Sequence, residues 1–352
     1  MMEAEKFLEF LSNTNGVSGN EMEIGIEIAS HFKRYCSQVK TDKLGNIIAY
    51  KQGENKNNKA KIMLAAHMDE IGLMVKKIDQ NGFILFTNVG GIDERTLLAQ
   101  EVIVHGDKNI YGIIGAKPPH LLKDKEKDST IKIEDLYIDV GLSEAEARKV
   151  ISVGDFITIK RNFKGLGRGY VVGKALDNRA GVTVLLECLK ELERVNHDTD
   201  VFLVTTVQEE VGLRGAITST YQIMPDLGIA IDVGHGRTPD LPKEDTIELG
   251  KGPGITLGPN IHPSIHERFV ECSKEYNIPY QIEVSPSSTG TDAWAMQVTK
   301  SGVPTGLISV PLRYMHTSVE LLNIKDVIHA GRLLALFIAS LNEIDMEEWL
   351  CY

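Results

Sequence analysis

The chain has 352 residues, of which 42% are hydrophobic and 25% charged, a composition typical of a globular protein with one large domain or two. The formal net charge of −11 argues against nucleic acid as a partner, because phosphate binding requires a basic surface. No apolar run reaches the roughly 20 residues of a membrane span, and the acidic N-terminal segment does not resemble a secretion signal. We therefore expect a cytoplasmic protein without a membrane partner.

The first 68 residues predict two helices followed by two strands. Apolar residues recur at helical spacing over Glu5–Leu11, and again up to Phe32 in a second helix that Asn20 could cap. Residues 46–50 predict a strand. Residues 62–66 form a short apolar run, which is typical of a strand buried on both faces.

The segment from about residue 72 to residue 160 is rich in predicted strands. One short helix is expected after Ser143, which forms a capping box with Glu146. The strands are expected at 83–86, 101–104, 111–114, 131–138 and 153–159. This pattern predicts a small β domain that resembles a barrel.

Helices and strands alternate after Gly165, which predicts an α/β fold with a mostly parallel sheet covered by helices. The expected helices cover 179–193, 213–220, 263–275, 292–298 and 324–341. The expected strands cover 201–207, 227–231, 281–284 and 306–310. Residues 1–68 and 165–352 therefore form one discontinuous domain, and residues 69–164 form an inserted one.

Potential metal ligands follow several of the predicted strands. They are His67 with Asp69, the pair Glu209 and Glu210, Asp232, and His316, while Asp177 precedes the 179–193 helix. Because sites in open α/β sheets form beyond the carboxyl ends of the strands, we expect these side chains to share one edge.

Each residue alone has an ordinary explanation, for example as a helix cap or a solvated carboxylate. Together they place several carboxylates at one edge, where their mutual repulsion favours bound cations. Mixed imidazole and carboxylate ligands suit zinc, cobalt or manganese. Two histidines and three carboxylates exceed the usual ligands of one catalytic zinc and fit two metals that share a carboxylate.

Five segments, in this order, carry a resemblance to a known family: AAHMDEIGLMV, GKALDNRAG, QEEVGLRGA, AIDVG and RYMHTSVE. They resemble the tetrahedral (TET) aminopeptidases of the glutamyl/leucyl aminopeptidase family, whose members are often labelled cellulase M. The resemblance spans essentially the whole chain. It implies a zinc-peptidase-like α/β domain that hydrolyses N-terminal residues from peptides with two divalent ions per subunit.

The resemblance also implies a role for each residue. His67 and Asp232 would hold one metal, Glu210 and His316 the other, and Asp177 would bridge them. Glu209 would be the general base, and Asp69 would orient His67. The β insert would be a dimerisation domain, and dimers would build a hollow tetrahedral dodecamer.

Three alternatives remain open at this stage. A glycosidase could use two carboxyl groups, but would leave His67 and His316 without a purpose, and an aromatic content of 6% is low for stacking sugars. A non-catalytic binding or scaffold protein could use the metals structurally, but structural zinc sites are usually rich in cysteine. A metal-dependent carboxypeptidase or deacylase could share the α/β plan.

Some positions keep two interpretations. The loop 288–292, which ends in Asp292, could line a substrate pocket, although a capped helix start is favoured. His120 is favoured as a turn residue although it could approach an active site, and His235 fits a turn as well as a substrate contact. The preferred N-terminal residue of a substrate does not follow from the sequence, and a neutral aliphatic residue is weakly favoured.

Overall fold

A computed structural model describes residues 1–55, 60–121, 131–341 and 346–349. The helices are α1 (Met2–Asn13), α2 (Met22–Phe32), α3 (Glu144–Ala147), α4 (Leu176–Leu192), α5 (Arg214–Ile223), α6 (Pro263–Glu275), α7 (Asp292–Gln297), α8 (Ile324–Ala339) and α9 (Met346–Trp349). Within these residues, no helix is both long and apolar enough to cross a membrane.

Seventeen strands occur in the described residues. They are β1 (Gln38–Thr41), β2 (Ile47–Lys51), β3 (Lys61–His67), β4 (Gly72–Ile78), β5 (Ile84–Val89), β6 (Glu101–His105), β7 (Asn109–Ala116), β8 (Leu136–Asp139), β9 (Phe156–Ile159), β10 (Lys164–Gly167), β11 (Tyr170–Gly173), β12 (Asp200–Thr206), β13 (Leu227–His235), β14 (Gly254–Leu257), β15 (Gln281–Val284), β16 (Thr305–Arg313) and β17 (Glu320–Asn323).

The main sheet has eleven strands in the order β1-β2-β12-β3-β13-β16-β17-β11-β10, and β14 joins β15 to β16. Its centre, β12-β3-β13-β16, is parallel, while the flanking pairs are mostly antiparallel. Parallel pairing brings the carboxyl ends of the four central strands to one edge. The predicted α/β fold with a mostly parallel central sheet is confirmed.

Both faces of the main sheet are covered. Alternate residues of β3 enter different cores: Ile62 and Leu64 pack with helices α1, α2, α4, α6 and α8, whereas Met63 and Ala65 pack with α5 and α7. The apolar run at residues 62–66 follows from this burial, since a strand between two layers of helices has no solvent face.

The inserted segment forms a closed six-stranded barrel in the order β4-β5-β8-β7-β6-β9, with every pair antiparallel. It has its own apolar core, which includes Val75, Ile84, Val102 and Ile157. Closure removes free strand edges. The barrel-like insert is therefore confirmed as a fold, while its boundaries at residues 69 and 164 stay a prediction.

Two local predictions were wrong. Asn20 does not cap α2; Glu21 is the N-cap residue, and its carboxylate accepts hydrogen bonds from the backbone N–H groups of Gly19 and Gln208 instead. The strand predicted at 131–138 begins only at Leu136, because Ile133–Asp135 form a 3-10 turn. The Ser143 capping box is present, with the Glu146 carboxylate accepting the Ser143 N–H at 3.0 Å.

Candidate metal centre

The carboxyl edge of the parallel strands carries the candidate ligands. His67 ends β3, and Asp232 lies beside it on β13, because Ala230 pairs with Ala65 two residues earlier on each strand. Glu209 and Glu210 lie in the loop after β12, and His316 lies in the loop after β16. The expectation that these residues share one edge of the sheet is met.

Asp177 reaches this edge from the start of α4. Its neighbour Asn178 caps the regular part of the helix, since the Asn178 side-chain oxygen accepts the Gly181 N–H at 2.8 Å. The Asn178 amide also donates to the Ile231 carbonyl oxygen at 2.8 Å, which ties the helix start to β13. Because Asn178 acts as the cap, the Asp177 side chain is not needed for capping and faces the other candidate ligands.

One group of ligand atoms surrounds the His67 ring. Its Nε2 atom lies 3.2 Å from Asp177 Oδ1 and 3.8 Å from Asp232 Oδ1. Glu209 Oε2 lies 3.9 Å from the same nitrogen. All these side chains are at least nine-tenths buried, so this group is largely shielded from solvent.

A second group surrounds the His316 ring. The His316 Nε2 atom lies 3.4 Å from Asp177 Oδ2 and 3.4 Å from Glu210 Oε2. Asp177 therefore turns one oxygen to each histidine. His67 with Asp177 and Asp232, and Asp177 with Glu210 and His316, each offer three ligand atoms within 4.8 Å of one another.

The electrostatics of the site fit bound cations. Burial, reinforced by Asp232, raises the pKa of Glu209 to about 10, although the charge of His67 opposes this shift. Burial and the charge of Asp177 raise the pKa of Glu210 to about 7. Without cations, it is therefore unfavourable for all these carboxylates to be ionised at once. Divalent cations would make the fully ionised state favourable.

The same surroundings favour the charged, protonated forms of the two histidines. Burial disfavours the His67 imidazolium, yet the Glu209 and Asp177 carboxylates raise its pKa well above the ordinary value. A hydrogen bond with Asp177 is the main cause that raises the pKa of His316 to about 9. Cations at this site would take the place of these protons on the ring nitrogens.

Two buried carboxylates support the ligands from behind. Asp69 accepts the backbone N–H groups of Glu209 at 3.1 Å and Glu210 at 3.2 Å, and also the Ser18 hydroxyl at 2.6 Å. The His67 Nδ1 atom is 3.2 Å from the Asp69 carbonyl oxygen and 3.5 Å from its carboxylate. A proton on Nδ1 directed at Asp69 leaves Nε2 free to bind a metal.

Glu320 is the second supporting carboxylate. It is 1% exposed, and its two oxygens accept the backbone N–H groups of Asp177 at 3.0 Å and His316 at 3.1 Å. Each supporting carboxylate therefore fixes the backbones of two candidate site residues.

A cavity of about 630 Å³ opens beside both ligand groups, and the structure shows where the three ambiguous positions lie relative to it. Thr289 and Thr291 line the cavity, and Thr291 also caps α7, while Asp292 is buried against the Thr206 hydroxyl. His235 lines the cavity at the end of β13. His120 lies exposed in a short 3-10 turn and is not among the cavity residues.

Comparison with known families gives a match over most of the chain. Residues 45–333 match the model of the M42 glutamyl aminopeptidase family, which is more than half of the 352 residues. The chain belongs to the M42 peptidase family. This membership confirms the predicted resemblance and makes the chain a hydrolase of the metallo-aminopeptidase class.

Individual relatives agree with this M42 membership. The lysyl aminopeptidase of Pyrococcus furiosus is 38% identical over 339 residues, which cover 94% of this chain and 95% of the relative. A TET aminopeptidase from a marine sediment Thaumarchaeota archaeon is 32% identical, with a TM-score of 0.93 and 99% of each chain covered. The TET1 peptidase of Pyrococcus horikoshii, which assembles into a tetrahedron or a large octahedral shell, is 33% identical, with a TM-score of 0.83 over 95% of this chain and 99% of that one.

Sequence reasoning missed Glu320, although it found every other carboxylate of the M42 site described above. Glu320 begins the short strand β17, four residues after His316. Glu320 is the last residue of the segment RYMHTSVE, but in that segment the resemblance was used to assign a role to His316 alone. The position of Glu320 at the end of this segment, close to a candidate ligand, is the signal that could have found it.

Proposed function

We propose that this M42 peptidase is a two-metal aminopeptidase that removes N-terminal residues from peptides. The observation that carries the proposal is the position of Asp177. One of its oxygens faces His67 and the other faces His316, which is the arrangement expected of a carboxylate shared by two ions.

In this proposal His67 and Asp232 hold the first ion, Glu210 and His316 hold the second, and Asp177 is bound to both. Zinc or cobalt suits these nitrogen and oxygen donors best, and manganese is also compatible. When bound, such a pair of ions lowers the pKa of a water and polarises the substrate carbonyl.

Glu209 is assigned the proton transfer. It is largely buried, it lines the cavity, and its Oε2 atom points into the first ligand group. It would take a proton from the attacking water and later deliver that proton to the leaving amine. Asp69 would position Glu209 and Glu210 through their backbone N–H groups, and would keep His67 oriented.

The substrate would bind with its free amino end in the cavity. Names of relatives do not fix the preferred side chain, because the family model carries a glutamyl description and the Pyrococcus furiosus relative a lysyl one. A free α-amino group would lie beside the carboxylates of the site, and this contact would favour cleavage at the first peptide bond.

Self-association is also part of the proposal. The insert of residues 69–164 would form a dimer contact, and dimers would build a closed dodecamer, as the tetrahedral assembly of the Pyrococcus horikoshii relative suggests. Light scattering should report a large particle, and deletion of the insert should leave small oligomers. A native monomer at micromolar concentration would contradict this part. Cytoplasmic location stays a prediction.

Activity on aminoacyl anilides before and after chelation tests the main proposal. Chelator should abolish cleavage, and zinc, cobalt or manganese should restore it. N-acylated anilides should resist the enzyme, whereas a deacylase or carboxypeptidase would not require a free amine. Full activity of verified metal-free protein would refute the two-metal mechanism, and chelator-resistant cleavage of a cellulose-like polymer would favour a glycosidase.

A further inference from the structure

One wall of the catalytic cavity carries a carboxylate that the proposed chemistry does not use. Glu283 lies on β15 and lines the cavity. Strand β14 connects β15 to β16, where Ser309 is the register partner of Asp232 on β13. The Glu283 carboxylate is thus linked through β14 and β16 to β13, the strand that carries the candidate metal ligand Asp232.

Gly234 shows where the Glu283 carboxylate ends. A Cβ atom on Gly234 would lie 2.5 Å from Glu283 Oε1, so in this structure the oxygen lies over the Gly234 backbone. Gly234 is two residues beyond Asp232 on the same face of β13, a separation of about 7 Å along a strand. That separation suits the side chain of a substrate residue whose amino group lies at the metal centre.

Two hydroxyl groups fix the orientation of Glu283. Thr256 Oγ1 donates to Glu283 Oε2 at 2.9 Å, and Ser309 Oγ donates to the same oxygen. Both donors act on Oε2, so Oε1 is the oxygen that remains for a ligand. Glu283 itself is half-buried, which makes a charge there more effective than one on the open surface.

The remaining wall favours a long cationic side chain. Among the described residues that line the cavity, none is Lys or Arg, so no cation there opposes a positively charged substrate side chain. Glu244 and Asp245 also line the cavity, but they are exposed, and solvent screens their charges. Ile247 and Leu307 line the same cavity and offer apolar contact to an aliphatic stem. A neutral aliphatic residue would shield the Glu283 carboxylate from water without supplying a partner.

We propose that Glu283 is a specificity-determining residue that makes the enzyme prefer peptides beginning with Lys or Arg. The ammonium or guanidinium group of the substrate's first residue pairs with Glu283 Oε1. This inference rests on the proposed aminopeptidase function and replaces the weak sequence-based preference for a neutral aliphatic residue.

Lysine and norleucine anilides provide the sharpest test, because norleucine has the lysine stem without the ammonium group. Metal-loaded wild-type enzyme should cleave the lysine substrate with kcat/KM at least about tenfold higher. Glu283→Gln keeps an oxygen for the Ser309 and Thr256 hydroxyls but removes the charge. It should lower the lysine-to-norleucine ratio by roughly 10- to 100-fold, mainly through KM.

Glu244→Gln is the matched control. It makes the same change of charge in the same cavity, but at an exposed position, and should alter the ratio by less than about threefold. Retained norleucine cleavage shows that Glu283→Gln is folded and metal-loaded, so a fall confined to lysine and arginine substrates supports the inference.

Three outcomes would overturn it. Equal losses for lysine and norleucine in Glu283→Gln would mean that Glu283 only supports the wall of the cavity. A wild-type preference for norleucine or glutamate anilides would overturn the substrate class while leaving the aminopeptidase proposal intact. If metal-loaded enzyme cleaves none of the anilides, the proposed function fails and this inference fails with it.

Discussion

The two halves of the candidate metal centre are built in different ways. His67 and Asp232 lie on neighbouring parallel strands, and the His67 side chain is 2% exposed. Glu210 and His316 lie in loops, and the His316 side chain is 36% exposed. The sheet therefore holds the first half in place, whereas the second half depends on hydrogen bonds to the loop backbones.

Those hydrogen bonds come from two buried acids with parallel roles. Asp69 holds the backbone of the loop that contains Glu210, and Glu320 holds the backbones of Asp177 and His316. Strand pairing therefore keeps the first half rigid. Substitutions of residues that are not ligands should affect metal binding mainly in the second half.

Asp177→Ala should have the largest effect, because Asp177 is the only residue assigned to both halves. We expect turnover to be lost and both ions to be absent after dialysis. His67→Ala and His316→Ala, as comparison variants, should each weaken mainly one ion. Metal analysis beside the turnover number checks this, and two ions retained in Asp177→Ala would contradict a shared carboxylate.

Glu209→Gln and Glu210→Gln should separate proton transfer from coordination. Glu209→Gln preserves shape and leaves the proposed ligands intact, so metal content should stay near the native value while turnover falls by about 10² to 10⁴-fold. Glu210→Gln should weaken the second ion, and excess metal should partly restore activity. The reverse pattern, with metal lost in Glu209→Gln and retained in Glu210→Gln, would show that the two roles are exchanged.

Glu320→Gln should loosen the second half without touching a ligand. The amide offers one acceptor oxygen where the carboxylate offers two, so one backbone N–H of Asp177 or His316 loses its partner. The loss of a buried hydrogen bond costs about 1–3 kcal/mol, and we expect roughly tenfold weaker binding of the second ion, with a smaller effect on the first ion because Asp177 is assigned to both. Calorimetric metal titration measures this directly.

Asp326→Asn is the matched control for Glu320→Gln. Asp326 is a buried acid that accepts the backbone N–H groups of Gly250 at 2.6 Å and Gly252 at 2.8 Å, and no candidate ligand is among these partners. A similar loss of thermal stability is expected in both variants, but weaker metal binding only in Glu320→Gln. If Glu320→Gln and Asp326→Asn bind metal equally well, Glu320 stabilises the fold but does not position the ligands.

The candidate ligands of both halves could be predicted from the sequence, whereas two other acids near the centre, Glu320 and Glu283, were not. His67 and Asp232 follow apolar strands, and the rule that parallel strands share a carboxyl edge is enough to bring them together. Glu320 and Glu283 lie on short strands, β17 and β15, whose positions depend on pairing with residues distant in the chain. The barrel followed from short strand patterns, but the Asn20 cap was wrong because α2 begins one residue later than predicted, with Glu21 at the N-cap position.

The pH dependence of metal binding should change the affinity for the second ion in steps of about tenfold per pH unit and is the most specific test of its ligands. A metal needs neutral imidazole and ionised carboxylate ligands, so any proton held by the metal-free site must leave on binding. The hydrogen bond to Asp177 raises the pKa of His316 to about 9, and burial raises the pKa of Glu210 to about 7. Affinity for the second ion should therefore fall as the pH falls, by about tenfold per unit between pH 9 and pH 7 and more steeply below pH 7.

Calorimetry in two buffers with different ionisation enthalpies counts the displaced protons. Binding of the second ion is identified as the event that is lost in His316→Ala. At pH 8 this event should release about one proton, because in the metal-free site His316 is protonated and Glu210 is mostly ionised. At pH 6 the count should approach two, since Glu210 must then lose its proton as well. Glu210→Gln, which carries no titratable group at that position, should release about one proton at both pH values. A count that is the same at pH 6 and pH 8 in the native protein would mean that Glu210 is not the group that loses a proton when the second ion binds, and unchanged affinity of Glu210→Gln for that ion would then show that the loop-built half needs a different ligand.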